Sequence, residues 1–146
     1  MKWNKYPVQK VLFGDKNYPK SLLDLSDPPT HLFYRGEMNE ALFKNAIAVV
    51  GSRLATSYGK SVVNNMVASF VRNKITVVSG FMYGIDTEAH KTAIEFGGKT
   101  IAVLGSGVNI CYPPENENLY TLIIETGGLV LSEYGPSTKP QLWTFP

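Results

Sequence analysis

The sequence holds a single cysteine, Cys111, among 146 residues, so no disulfide can form within the chain. A chain with that cysteine usage is expected in a reducing, cytoplasmic setting. Charge is also scarce: 18% of residues are charged and the net charge is +2, far from the composition of a disordered polyelectrolyte. Long apolar runs are missing, since stretches such as Ile101 to Leu104 fall well short of the ~20 residues a membrane-spanning helix needs. The opening Met1-Lys-Trp-Asn-Lys-Tyr-Pro7 has no apolar core of the signal-peptide kind. Neither histidine, His31 or His90, has metal-ligand companions nearby in sequence. Two nucleotide fingerprints are absent as well. There is no Gly-x-x-x-x-Gly-Lys-Ser/Thr loop, and Gly105-Ser-Gly107 starts like a dinucleotide turn but places Ile110 where the third glycine belongs. What is present, 44% hydrophobic residues of which aromatics are a large share, suffices for one globular domain. At this length such a domain buries about 68% of its unfolded surface and needs no metal or disulfide.

The regular pattern begins after an irregular lead-in. Residues 1–30 are rich in Lys, Asp, Ser and Pro, close with Asp27-Pro28-Pro29, and allow at most one short helix near Leu22 to Leu25. From residue 31 to 146 the chain reads as one unit. A strand over His31 to Arg35 precedes four apolar, β-branched runs: Ile47 to Gly51, Ile75 to Gly80, Ile101 to Gly105 and Leu129 to Ser132. Each of the four is continuous rather than alternating, as for strands covered on both faces. Between them, helical periodicity spans about 58–73, 86–97 and 115–125, with Asp86 or Thr87 as a cap and Gly97-Gly98 and Gly127-Gly128 as terminators. This alternation predicts a three-layer α/β fold, Rossmann-like, with a mostly parallel sheet and right-handed crossovers.

Three strands end in glycine, at Gly51, Gly80 and Gly105. Ligands of open parallel sheets bind outside the carboxyl ends of the strands, where helix N-termini offer free N–H groups and glycine lets backbone approach. The plainer explanation is that tight βα turns need glycine whatever they bind. The side chains added there are polar: Ser52 and Arg53 after the first turn, Ser79 before the second glycine, Asn109 and Asn116 beyond the third. An Arg beside helix N-termini is suited to phosphate, because its planar fork can hold two oxygens. Residues 51–80 support this weakly, with four basic and no acidic side chains, a pattern that a solvated helix face would also produce.

Catalytic groups are few. Asp86 and His90 stand four apart on one helix, so the carboxylate could orient the imidazole, or it could cap the helix while His90 packs on the sheet. Glu133 after the last strand is a candidate for holding loop N–H groups or for base work, and Cys111 has no evident histidine partner.

With these residues in place, the sequence resembles the DNA-processing protein A (Smf) family, bacterial recombination mediators of natural transformation. The resemblance runs through Tyr18-Pro-Lys-Ser-Leu22, Leu32-Phe-Tyr-Arg-Gly36, Val49-Val-Gly-Ser-Arg53, Val78-Ser-Gly80, Gly84-Ile-Asp86, Ala89-His90, Gly98 to Leu104, Tyr112-Pro-Pro-Glu-Asn116 and Leu131-Ser-Glu-Tyr134, in the family's order. It implies a non-catalytic protein without cofactor or metal that binds single-stranded DNA, forms dimers and helps load the RecA recombinase. It further implies a DNA pocket at Arg53, with Gly51, Ser52, Ser79, Gly80, Gly84, Gly105 and Asn116 as matching loop groups. Asp86, His90 and Glu133 would order those loops. Tyr120, four residues beyond Asn116, matches a base-stacking aromatic, though it could equally face the core.

Two departures are visible: Tyr83 and Pro114 stand where many members carry basic residues. The chain also stops at Trp143-Thr-Phe-Pro146, where the family continues with an Arg-Asn-Arg segment and further strands, so the fold is expected to be truncated there. A sheet edge left open by that truncation, or Trp143 and Phe145, should then favour association. Other architectures remain compatible. A nucleotide-binding Rossmann module is one. A nucleotide phosphoribohydrolase of the lysine-decarboxylase-like group is another, although its Pro-Gly-Gly-x-Gly-Thr segment is only partly echoed by Thr126-Gly-Gly128.

Overall fold

The computed structural model describes residues 1–145. In chain order its elements are β1 (Gln9–Leu12), β2 (His31–Gly36), α1 (Ala41–Lys44), β3 (Ala46–Ala48), α2 (Ser57–Arg72), β4 (Thr76–Ser79), α3 (Ile85–Glu95), β5 (Thr100–Val103), α4 (Glu117–Glu125) and β6 (Leu129–Ser132). The six strands form one sheet in the order β1-β2-β6-β5-β4-β3. Strands β3 to β6 are mutually parallel, while β2 runs antiparallel to β6 and β1 antiparallel to β2.

The side-chain alternation of the strands sorts the core into two faces. Val77, Ala102 and Val130 point to the face carrying α2, α3 and α4, where Val67, Ala89 and Ala93 meet β4 and Leu119, Ile123 and Tyr120 meet β5 and β6. Ile101, Leu129 and Leu131 point the other way, against Tyr18, Leu22, Leu42 and Phe43. Successive right-handed crossovers in one direction account for the three long helices sharing a face. The other face is closed by shorter, earlier segments.

Helix boundaries follow local chemistry. Thr56 caps α2, its hydroxyl accepting from the Gly59 N–H at 3.0 Å. Gly97, at φ +74°, ends α3 in the left-handed turn expected of it. The cap of α3 differs from expectation: it is Gly84, and Asp86 lies inside the first turn with its carboxylate turned toward the sheet.

Two further differences concern the ends of the sheet. The lead-in expected to be irregular contributes an edge strand, β1, and a turn of 3-10 helix over Lys2–Lys5 that buries Trp3 to 2% exposure. Trp3 stacks on Tyr120 at 4.8 Å between ring centroids, a contact with no local signal in a stretch of Lys, Asn and Pro. Conversely β3, expected to be covered on both faces, is exposed at all three residues because it is the other edge. The last strand, β6, is interior, and the two edges of the sheet are β1 and β3.

Arg35 joins these parts. It is 5% exposed, and its guanidinium donates to the backbone carbonyls of Val108, Trp3 and Tyr6 and to the side-chain oxygen of Asn109. No carboxylate faces it among the described residues; carbonyl dipoles replace its lost hydration.

Trp3→Ala should therefore destabilise the fold by about 3–5 kcal/mol, the cost of emptying a large aromatic site. Urea unfolding would register it as a lowered midpoint at unchanged slope; a midpoint close to wild type would mean that the N-terminal segment is peripheral.

Candidate functional site

A cavity of about 760 Å³ opens at the carboxyl ends of β3, β4 and β5. The three strand-end turns bring Gly51, Arg53, Ser79, Gly80 and Gly105 to its wall, as the pattern of terminal glycines suggests, and Asp86 and Glu133 line it too. The chain's last described residues close one side, through Trp143, Thr144 and Phe145.

Asp86 organises the floor. Its carboxylate accepts from the Met82 N–H at 3.3 Å and lies within reach of the Ser79 hydroxyl and the Gly51 and Gly80 amides. Burial pushes its pKa up, and those donors pull it partly back. Gly80 is required by this contact, since a Cβ there would come to 2.8 Å from the Asp86 carboxylate. The Ser79 hydroxyl itself donates to the Val49 carbonyl at 2.6 Å, tying the end of β4 to the segment that follows β3.

The other glycines admit protein rather than open space. A Cβ on Gly51 would strike Ile85 at 2.7 Å, and one on Gly105 would strike the Phe145 ring at 2.6 Å. Gly84, at φ +76°, lets the start of α3 press against the Ser52 and Arg53 backbone, where the Ile85 N–H donates to the Ser52 carbonyl at 3.1 Å. The Ser52 hydroxyl accepts from the Leu54 N–H at 3.1 Å and so shapes the turn that presents Arg53. Arg53 is exposed, and its guanidinium carbon sits 5.6 Å from the centroid of the Phe145 ring.

Tyr120, Asn116 and His90 have other roles, and Glu133 lines the cavity without the loop contacts expected of it. Tyr120 is fully buried, donates to the Val108 carbonyl at 2.7 Å and lies between Trp3 and Phe81, so its ring is not available to a base. The Asn116 amide donates to the Phe81 carbonyl at 3.2 Å and to the Thr87 hydroxyl at 2.8 Å, outside the cavity wall. His90 orders no loop. It is fully buried, with Nδ1 2.7 Å from the Thr100 hydroxyl, and it makes no hydrogen bond with Asp86. Because the Thr100 hydroxyl donates to the Val77 carbonyl at 2.8 Å, Nδ1 must carry the imidazole proton. Glu133 is exposed instead of buried against loop amides.

Residues in the wall that sequence reasoning did not assign to the site include Met82, Val103, Tyr134 and Trp143. Cys111, half-buried, has its thiol pushed up to about 12 by burial and by Glu117 and Glu115, which leaves it unreactive at neutral pH. Tyr83 donates its hydroxyl to Glu115 at 2.8 Å. No helix in the described residues is long and apolar enough to cross a membrane.

An open, mostly parallel sheet with an arginine-bearing cleft at its strand ends defines a Rossmann-like domain of the ligand-at-strand-end class. The chain belongs to the DNA recombination-mediator protein A family, whose model matches residues 9–146. It is 40% identical to the DNA processing protein DprA of Streptococcus pneumoniae over 99% of this chain and 49% of that protein. It is 37% identical to DprA of Bacillus subtilis over 95% of this chain and 46% of that one. The crystal structure of the Streptococcus pneumoniae protein superposes with a TM-score of 0.85. The solved structure of DNA processing protein A from Helicobacter pylori, described for its single-stranded DNA binding mode, superposes with a TM-score of 0.77 at 27% identity, covering 96% of this chain and 61% of that one. The chain thus spans about half the length of the curated relatives it matches.

His90 gives the fold a definite acid sensitivity. Burial lowers its pKa from 6.5 to about 3, so below pH 6.5 the unfolded chain takes up a proton that the folded chain refuses. Its contribution is complete above pH 6.5 and is lost as pH falls toward 3, by about 1.4 kcal/mol per pH unit. Asp86, shifted upward, acts in the opposite sense, so the measurement compares wild type with His90→Asn by urea unfolding between pH 7 and 4. The stability difference between the two should shrink steadily on acidification; a constant difference would show that His90 titrates normally.

Proposed function

We propose that the chain is a non-catalytic, single-stranded DNA-binding domain of a recombination mediator, working in the cytoplasm in natural transformation and in RecA loading. The observation that carries this reading is Arg53, an exposed guanidinium on the wall of a strand-end cleft, in a family with a member studied for its single-stranded DNA binding mode. The planar guanidinium suits a phosphodiester, and the cleft is wide enough for a sugar and base. The non-catalytic part is supported by His90, which pairs with Thr100 and not with Asp86, and by the raised Cys111 thiol. Arg53→Ala should weaken oligothymidine binding several-fold and lower the log–log salt slope by about 0.7, the share of one phosphate on a single strand. Anisotropy titrations across a salt series measure both, and unchanged affinity and slope would remove Arg53 from the interface.

Self-association belongs to the same reading. The β3 edge is exposed and is continued by Val50 and Leu54, at 73% and 89% exposure, so it offers unpaired backbone and apolar side chains to a second copy. Light scattering should show a mass that rises with concentration and falls back in Ile47→Lys. A monomer at every concentration would contradict it.

A further inference from the structure

We propose that Trp143, braced edge-on by Tyr134, is the base-stacking platform of the cleft; this rests on the single-stranded DNA reading above. Tyr120 cannot fill that role, being enclosed by Trp3 and Phe81. Trp143 lines the same cavity as Arg53 and is 72% exposed, an unusual position for the largest aromatic side chain. Its ring stands 5.9 Å from that of Tyr134 at 79°, an edge-to-face contact that fixes the indole plane and leaves most of its surface open.

The segment that carries it is anchored on both sides. The buried Thr144 hydroxyl donates to the Gln141 carbonyl at 2.8 Å and accepts from the Gln141 N–H at 3.0 Å, closing a turn around residue 143. Phe145 then packs on Gly105 and beneath the Arg53 guanidinium. Indole and guanidinium thus line one and the same cavity. Charge alone gives this cleft little hold on DNA. Arg53 is the one basic side chain in its wall, and the exposed carboxylate of Glu133 shares that wall. Attraction to the bases must therefore supply much of the affinity, and an aromatic face does so whatever the sequence.

The chain contains its own probe, since its two tryptophans are the buried Trp3 and the exposed Trp143. Oligothymidine should quench the Trp143 emission of the full chain. Trp143→Ala should weaken oligothymidine binding about five- to hundredfold without changing the salt slope, and Trp143→Phe should recover most of the loss. An abasic oligomer of equal length, which keeps the phosphates and removes the bases, should bind wild type and Trp143→Ala equally. If Arg53→Ala weakens binding while Trp143→Ala and the emission do not respond, the platform is wrong and the DNA reading stands. If wild type binds no oligothymidine, both fall.

Discussion

The strand-end cleft depends on one carboxylate. Asp86 is set by the first turn of α3 under the ends of β3 and β4, where its carboxylate accepts from the Met82 N–H and lies within reach of the Gly51 and Gly80 amides. A buried carboxylate needs donors to offset its lost hydration, and here the donors belong to two different turns. The need of one charge for partners thus holds the two turns at fixed separation. Arg53 inherits its position from that arrangement, since the turn that carries it is pinned between Ser52, Gly84 and Ile85.

The same arrangement alters the meaning of the glycines. Terminal glycines in parallel sheets suggest room for a ligand, yet Gly51, Gly80, Gly84 and Gly105 each admit a piece of the protein itself: Ile85, the Asp86 carboxylate, the Ser52–Arg53 backbone and Phe145. Glycine at these positions lets the wall of the cleft be built close. The ligand-facing surface is then left to side chains, Arg53 and Trp143 above all.

Much of the parallel half of the fold was legible in the sequence, because buried β-branched runs and 3.6-residue periodicity are local signals. The strands at 76–79, 100–103 and 129–132 and the three long helices follow from them. The antiparallel half was not. The burial of Trp3 and of Arg35 depends on partners more than 70 residues away, at Tyr120 and Val108, and arginine in a mixed-polarity stretch carries no mark of burial. Around the cavity, strand-end position accounts for Arg53, Ser79, Gly51, Gly80 and Gly105 reaching its wall. Tyr120 was misplaced because helical spacing does not say which face of α4 meets the sheet, Asn116 because its partners Phe81 and Thr87 lie some thirty residues away, and Trp143 escaped because a cleft wall contributed by a returning segment has no sequence period.

The pairing of β2 with β6 has a consequence in time as well as in space. Arg35 faces Val130 across that ladder, and Trp3 waits for Tyr120. During synthesis the first forty-odd residues have no native sheet to join until β6 has left the ribosome, whereas β3 to β5 and their helices can assemble as each emerges. The sheet should therefore close from its middle outward, with the oldest part of the chain docking last. Until then the Ile101, Leu129 and Leu131 side chains lie bare, and that interval is when this protein is most exposed to wrong partners.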